Sequence, residues 1–255
     1  MPWKIDDGDI LITCPAPKYA HFHCAMQGLT VVFDLDGTLV DTAPDLVAAT
    51  NHALSELGLA PVQPRVLINW VSFGARRMIV EGLRHTQTEL SDPEVDRLLA
   101  RFLDYYEGNI ANLSRPFDGA VAALGHLKSS GARLAICTNK RESLSRLLLN
   151  ALDLAGYFEA VSGRDTFPVC KPHPDHLTGA ITAAGGDPRH AIMVGDTNVD
   201  IETARAAFVP VIAVTFGYSD VPPNRLGAEM TIDHFDQLPS AIAALRPRRI
   251  SDAGY

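Results

Sequence analysis

Five short apolar segments alternate with helical patterns along the chain, and this alternation is the feature that most constrains the fold. Each segment is apolar almost throughout and ends at polar residues, which is typical of strands buried on both faces of a parallel sheet. The predicted strands are Leu29–Phe33, Arg133–Cys137, Tyr157–Ser162, His190–Val194 and Val209–Thr215. The helical patterns between them are Asp118–Ser130, Arg141–Leu154, His173–Ala184 and Asn198–Ala207. The sequence therefore predicts an α/β protein with a Rossmann-like, doubly wound and mostly parallel sheet.

The first two predicted strands are separated by residues 34–132, whereas a strand–helix–strand unit needs only about thirty residues. Helical patterns occupy this insertion at Pro44–Leu57, Gly74–Arg84 and Glu94–Asn109. Proline and turn residues at 41–44 and 114–119 are typical of the crossing points of a hinge. We therefore predict a helical cap domain at 44–115, inserted into an α/β core formed by 28–43 and 116–248.

Residues 1–27 differ from the rest of the chain and are predicted to be a poorly ordered extension. The segment carries several aspartates and lacks the apolar and basic regions of a secretory signal. Met26 stands just before the first predicted strand, so translation starting at Met26 is an alternative to Met1. The four cysteines form no CxxC pair, which indicates a reduced, cytoplasmic protein.

The charge balance argues against some classes of binding partner. Acidic residues number 30 and basic residues 22, which gives a net charge of −8. This balance argues against nucleic acid or an anionic membrane as a partner, and no apolar run is long enough to span a membrane. An acidic protein that binds an anion must concentrate positive charge locally, with a metal ion or a few basic residues. Monomer and homodimer both stay open.

Two carboxylates follow the first predicted strand directly. Asp34 and Asp36 lie two residues apart in the segment DLDGT, at the carboxyl end of a strand. Ligands of open parallel sheets bind outside this end of the strands. The alternative is an acidic turn whose aspartate caps the next helix.

Polar groups suited to phosphate chemistry also follow three further strands. Thr138 and Asn139 follow the second strand, Lys171 lies in the loop after the third, and Asp196 and Asp200 follow the fourth. Taken singly, each has an ordinary explanation as a helix cap, a solvated lysine or a turn. Their joint occurrence at successive strand ends predicts a phosphoryl-transfer site with a hard-cation position.

The set of motifs resembles the haloacid dehalogenase-like phosphohydrolase superfamily. The matching segments are DLDGT at 34–38, Thr138, Lys171 and GDTNVD at 195–200. The helical insertion resembles the type-1 cap of that superfamily. Within it, the chain resembles phosphoglycolate phosphatases in Phe73–Arg77, Ile136–Lys140 and Gly217–Pro222. It departs from them in its N-terminal extension and in Ser72-Phe73, where a glycine-bearing turn is common.

The resemblance implies a mechanism through a covalent aspartyl-phosphate. Asp34 is the implied nucleophile and Asp36 the implied acid/base. The groups implied to bind the transferring phosphoryl oxygens are Thr138, Asn139 and Lys171.

The resemblance also implies a Mg²⁺ cofactor. Its implied ligands are the carboxylates of Asp34 and Asp196 and the backbone carbonyl of Asp36, with Asp200 outside the coordination shell. Magnesium is a hard cation that prefers such oxygen ligands.

The insertion carries two candidate specificity residues, Arg76 and Arg77. An arginine at the start of a helix can hold a small carboxylate, which the implied substrate, 2-phosphoglycolate, carries. Adjacent helical residues point about 100° apart, so one of the two is expected to reach the substrate. Solvated surface charges are the alternative.

Hydrolysis of 2-phosphoglycolate is the favoured function. Other reactions open to the same scaffold are those of a sugar-phosphate phosphatase, a β-phosphoglucomutase-like phosphomutase, a pyrophosphatase or a nucleotidase. A non-catalytic phosphate-binding protein is the alternative from another class, but binding alone does not need both Asp34 and Asp36.

Overall fold

The structure of the chain is a computed structural model that describes residues 26–245, and at its centre lies a six-stranded parallel sheet. The strands of this part of the chain are β1 (Thr30–Phe33), β2 (Val40–Asp41), β3 (Arg115–Pro116), β4 (Arg133–Cys137), β5 (Ala160–Ser162), β6 (Ala191–Gly195), β7 (Val211–Val214) and β8 (Met230–Ile232). The order in the sheet is β5-β4-β1-β6-β7-β8, and all its pairings are parallel. The predicted fold class is confirmed.

All five predicted strands form, and a sixth is added at the sheet edge. β8 escapes prediction because it has three residues and only Ile232 is fully buried, so its apolar pattern is weak. β5 begins at Ala160 instead of Tyr157, because residues Ala155–Tyr157 form a 3₁₀ turn.

The continuous apolar runs reflect burial on both faces of the sheet. In β1, Val31 and Phe33 pack into one apolar cluster and Val32 into another, and all three are fully buried. Burying each such side chain contributes about 1.5–3 kcal/mol. Both faces of β1 are therefore covered, as a doubly wound sheet requires.

Helices cover the two faces of the sheet and form the insertion. They are α1 (Ala43–Ser55), α2 (Pro64–Leu67), α3 (Ala75–His85), α4 (Asp92–Gly108), α5 (Ala120–Ser129), α6 (Glu142–Ala151), α7 (Pro174–Ala183), α8 (Asn198–Ala206), α9 (Pro223–Leu226) and α10 (Leu238–Leu245). The apolar side chains of α7 and α8 join the cluster of Val32, whereas those of α5, α6 and α10 join the cluster of Val31. Within residues 26–245, no helix combines the length and apolar character needed to cross a membrane.

The insertion consists of α1–α4, and the two segments that lead into and out of it pair with each other. α1 packs against α3 and α4. β2 and β3 form an antiparallel ribbon in which Val40 pairs with Pro116 and Asp41 with Arg115. The carboxylate of Asp45, in the first turn of α1, accepts the backbone N–H of Ser114 at 2.7 Å. The insertion is thus tied to the core by two strands lying side by side.

The three long helical patterns predicted in the insertion correspond to α1, α3 and α4. The short helix α2 and the 3₁₀-helix Ile68–Phe73 that follows it were not predicted, because neither is long enough to show a period.

The predicted extension lies outside the described residues, apart from its last two positions. Met26 is buried, and its N–H donates to the carbonyl of Ser130 at 3.2 Å. Met1 and residues 246–248 of the predicted core also lie outside the described part.

Candidate active site

Three predicted site residues meet at the carboxyl edge of the sheet. Asp34 follows β1, Thr138 follows β4 and Asp196 follows β6, and β1 lies between the other two strands. The backbone N–H of Asp34 continues the ladder by donating to the carbonyl of Val194 at 2.9 Å. Neighbouring parallel strands therefore bring together residues that are far apart in sequence.

The carboxylates of Asp34, Asp196 and Asp200 form a buried acidic cluster. One oxygen from each lies within 4.8 Å of the other two. Burial raises the pKa of Asp34 to about 6, with Lys171 opposing this shift. Burial, followed by the charges of Asp200 and Asp34, also raises the pKa of Asp196. Burial and the neighbouring carboxylates therefore make full ionisation of this cluster costly.

The ammonium of Lys171 contacts two carboxylates of this cluster. Its Nζ lies 2.9 Å from Oδ1 of Asp34 and 2.5 Å from Oδ1 of Asp200, and its side chain is 2% exposed. Burial opposes the charged form, but the two carboxylates outweigh it and raise the pKa of Lys171. Lys171 is therefore positively charged at neutral pH.

Two hydrogen bonds fix the backbone of Lys171. Its N–H donates to Nδ1 of His176 at 3.0 Å, and its carbonyl accepts the side-chain amide of Asn139 at 3.0 Å. The ring of His176 is fully buried, and its Nε2 lies 3.0 Å from the carbonyl of Gly163. The N–H donated by Lys171 identifies Nδ1 as the acceptor, so Nε2 carries the proton. Asn139 and His176 therefore hold the loop that aims Lys171.

Both carboxylate oxygens of Asp200 are bound by protein groups, one of them by the ammonium of Lys171. Oδ1 binds Lys171, and Oδ2 accepts both the N–H and the hydroxyl of Thr197, at 3.0 and 2.9 Å. These contacts form the capping box at the start of α8. The position of Asp200 outside a metal's coordination shell stays a prediction.

Asp196 is oriented by backbone and side-chain donors. Its Oδ1 accepts the hydroxyl of Thr38 and its Oδ2 accepts the N–H of Tyr218, both at 2.8 Å. Gly37 has φ +87°, and a Cβ atom there would lie 2.6 Å from Oδ2 of Asp196. Glycine is therefore required in the DLDGT segment both by its backbone conformation and by the close approach of this carboxylate.

The carboxylate of Asp36 is paired with the ammonium of Lys140, a residue that the sequence did not predict to belong to the site. Nζ of Lys140 lies 3.0 and 3.2 Å from the two carboxylate oxygens of Asp36. The same Nζ donates to the hydroxyl of Tyr106, on α4, at 2.8 Å. Burial opposes the charge of Lys140, but Asp36 outweighs it and raises the pKa of Lys140. Its position two residues after Thr138 was a usable signal, whereas no sequence pattern pointed to Tyr106.

Thr138 and Asn139 offer different groups to a ligand. Thr138 is 2% exposed, and its Oγ1 accepts the N–H of Lys140 at 3.2 Å. Oδ1 of Asn139 is buried and has no hydrogen-bond partner among the described residues. The side-chain amide of Asn139 donates one N–H to the Lys171 carbonyl, and its Oδ1 is left as an unpaired acceptor.

A cavity of about 280 Å³ lies between the sheet edge and the insertion. The core contributes the candidate catalytic groups Asp34, Asp36, Thr138, Asn139, Lys140 and Lys171. The insertion contributes Phe73, Gly74, Arg76, Phe102 and Tyr106, among others. A small ligand in the cavity would touch both parts of the chain.

The two arginines singled out in the insertion occupy different positions. Arg76 lines the cavity, but its guanidinium binds Asp92 at 2.8 Å and Asp96 at 3.2 Å. Arg77 is not among the residues that line the cavity. Its guanidinium binds Glu81 at 2.7 Å and lies 4.6 Å from the centre of the Trp70 ring. A substrate contact by either arginine stays a prediction.

The acidic cluster fits a divalent cation. The buried carboxylates of Asp34, Asp196 and Asp200 face the single ammonium of Lys171, and only Asp34 and Asp200 contact it. Buried charge of this kind is costly unless it is compensated. Asp34 and Asp196 supply hard oxygen donors of the kind that Mg²⁺ binds.

The sequence matches a known family over most of the sheet. Residues 31–214 match the family model described as haloacid dehalogenase-like hydrolase. The chain therefore belongs to this hydrolase family, as its motifs predicted.

Two curated phosphatases and one crystal structure are similar to this chain over most of its length. The chain is 45% identical to a phosphoglycolate phosphatase of Mesorhizobium japonicum over 225 residues, which cover 88% of this chain and 98% of that protein. It is 46% identical to a phosphoglycolate phosphatase of Agrobacterium fabrum, with 83% and 91% covered. A crystal structure of a predicted phosphoglycolate phosphatase from Haemophilus somnus matches with a TM-score of 0.78 and 29% identity, covering 85% of this chain and 98% of that one.

Proposed function

We propose that the chain is a Mg²⁺-dependent phosphatase that hydrolyses 2-phosphoglycolate to glycolate and phosphate through an aspartyl-phosphate on Asp34. The observation that carries this proposal is the buried carboxylate of Asp34, ion-paired with Lys171 beside Asp196 at the edge of a cavity. The names of the relatives support a phosphoric monoester hydrolase and this substrate.

In the first half-reaction, an oxygen of Asp34 attacks phosphorus. The new bond joins Asp34 to phosphorus, and the bond between phosphorus and the glycolate oxygen breaks. Asp36, two residues further on and lining the same cavity, gives a proton to the departing oxygen. The products of this step are glycolate and the aspartyl-phosphate.

In the second half-reaction, water attacks the phosphorus of the intermediate. Asp36, now ionised, takes a proton from that water, the bond to Asp34 breaks and phosphate leaves. Asp34 returns to its carboxylate form and Asp36 to its protonated form, so the cycle is balanced in atoms and protons.

Three groups are proposed to bind the transferring phosphoryl oxygens. Lys171 offers its ammonium and Thr138 its hydroxyl. Asn139 offers its backbone N–H, while its side-chain amide holds the Lys171 carbonyl. Lys171 also neutralises part of the charge that otherwise repels a phosphate from the acids.

The residues that would hold the proposed cation are Asp34, Asp196 and, through its backbone carbonyl, Asp36. When bound, it supplies positive charge that offsets the acids and the phosphate. Asp200 orients Lys171 from outside this set.

The proposal also includes a cytoplasmic location. Among the described residues, Cys137 and Cys170 are free cysteines, and Cys137 is buried. Free thiols are typical of a reducing compartment.

The test is phosphate release from a panel of 2-phosphoglycolate, sugar phosphates, nucleotides and pyrophosphate, with Mg²⁺ and with EDTA. We expect a strong preference for 2-phosphoglycolate, loss of activity in EDTA and loss of turnover in Asp34→Asn. Asp118→Asn, an exposed aspartate outside the cavity, is the matched control. A preference for sugar phosphates would overturn the substrate, and turnover in Asp34→Asn would overturn the nucleophile.

A further inference from the structure

The cationic side chains that line the cavity divide into two groups. Lys171 is bound to Asp34 and Asp200, Lys140 to Asp36, and Arg76 to two aspartates of α4. Arg141 and Arg164 line the same cavity, and their guanidinium groups make no hydrogen bond or ion pair within residues 26–245. They therefore carry the positive charge that a second anionic group of a ligand can use.

The loops that carry the two arginines are hydrogen-bonded to each other. Arg141 follows β4 and Arg164 follows β5, which are neighbours in the sheet. The N–H of Arg164 donates to the carbonyl of Lys140 at 2.9 Å, directly before Arg141. The N–H of Glu142 donates to Oδ1 of Asp165 at 2.9 Å. The two loops are thus joined on both sides of the arginine positions.

The acids beside these arginines are bound elsewhere. Oε1 of Glu142 binds Arg146 at 2.7 Å, and its Oε2 accepts the hydroxyl of Thr166 at 2.6 Å. Asp165 accepts the backbone N–H of Glu142. Among the described residues, neither acid forms an ion pair with Arg141 or Arg164.

We propose that Arg141 and Arg164 bind the carboxylate of the substrate and so select a phosphorylated acid over a neutral phosphomonoester. This inference rests on the proposed function and names the specificity residues of the same site. A guanidinium binds a carboxylate through two parallel hydrogen bonds. Arg76 must first give up its contacts with Asp92 and Asp96, whereas Arg141 and Arg164 break no contact.

The test compares 2-phosphoglycolate with ethyl phosphate, which has the same chain length and no carboxylate. In Arg141→Gln and Arg164→Gln, we expect kcat/KM for 2-phosphoglycolate to fall by about 10- to 100-fold each, mainly through KM. Activity on ethyl phosphate should stay within about 2-fold, because the lost contact concerns only the carboxylate. Arg189→Gln, which removes an exposed arginine paired with Asp187, is the matched control.

Two results would overturn the specificity assignment while leaving the phosphatase intact. One is an equal loss on both substrates, which would place the arginines in the chemistry common to both. The other is a selective loss in Arg76→Gln with none in Arg141→Gln or Arg164→Gln, which would place the carboxylate against the insertion. Wild-type protein that hydrolyses neither substrate would instead overturn the proposed function itself.

Discussion

The ammonium of Lys140 lies 3.0 Å from Oδ1 of Asp36, so the candidate acid/base is bound by a cation from the loop after the neighbouring strand. The side chain of Lys140 is 6% exposed and that of Asp36 is 16% exposed. Tyr106, on the last helix of the insertion, accepts a hydrogen bond from the same ammonium. The position of Asp36 is therefore coupled to a residue of the insertion.

Replacing Lys140 with methionine should lower kcat by about 10- to 100-fold, because Asp36 loses the charged partner that orients it. Stability should fall by about 1–2 kcal/mol, since the carboxylate stays partly exposed to water. Steady-state kinetics and urea denaturation measure the two effects. Tyr106→Phe keeps the ring and removes one acceptor, so its kcat should fall only about 2- to 10-fold. An unchanged kcat in Lys140→Met would show that the ion pair does not position Asp36.

Gly37→Ala should unfold more easily and lose activity, because its Cβ would meet the Asp196 carboxylate at 2.6 Å. Gly28→Ala is a matched control, since Gly28 has φ +81° and nothing lies within 4 Å of its Cβ position. In Gly28→Ala, backbone strain alone should lower the free energy of unfolding by about 1–2 kcal/mol. In Gly37→Ala, the free energy of unfolding should fall by about 1–3 kcal/mol more than in the control. If urea denaturation gave the same loss of stability for both variants, and Gly37→Ala kept its activity, the Asp196 carboxylate would not restrict position 37.

Magnesium should raise the unfolding temperature of the wild-type protein, because the cation offsets buried negative charge. At a concentration 100 times its Kd, a ligand of the folded state adds about 2.7 kcal/mol. Asp196→Asn should lose this response, while the exposed control Asp118→Asn should keep it. Thermal unfolding with and without EDTA measures the response. A full response in Asp196→Asn would exclude this carboxylate as a ligand.

His176 should make the protein less stable as the pH falls from about 6.5 to about 4. Burial lowers the pKa of His176 to about 4, from 6.5 in the unfolded chain. Between these values the unfolded chain binds more protons, so lowering the pH favours unfolding. The difference in the free energy of unfolding amounts to at most about 3.4 kcal/mol.

Urea denaturation across this pH range, compared between wild type and His176→Gln, isolates the contribution of His176. Glutamine also offers one acceptor and one donor, to the N–H of Lys171 and the carbonyl of Gly163, and does not titrate. The wild type should lose stability relative to the variant as the pH falls. Parallel curves would refute the assignment of His176 as a buried neutral ring.

The sequence alone determined the architecture and the residues at the strand ends. Continuous apolar runs mark strands buried on both faces, and the ends of parallel strands meet at one edge, so the meeting of Asp34, Thr138 and Asp196 was predictable. The short edge strand β8 and the helix α2 were not, because three or four residues show no period.

Only the tertiary structure decided which charges are paired. Arg76, Arg141 and Arg164 look alike in sequence, yet Arg76 binds two aspartates whereas the guanidinium groups of Arg141 and Arg164 have no partner among the described residues. The bond from Lys140 to Tyr106 spans 34 positions. Ion pairing depends on distances of a few ångströms between side chains from separate elements, and sequence spacing within one element does not encode those distances.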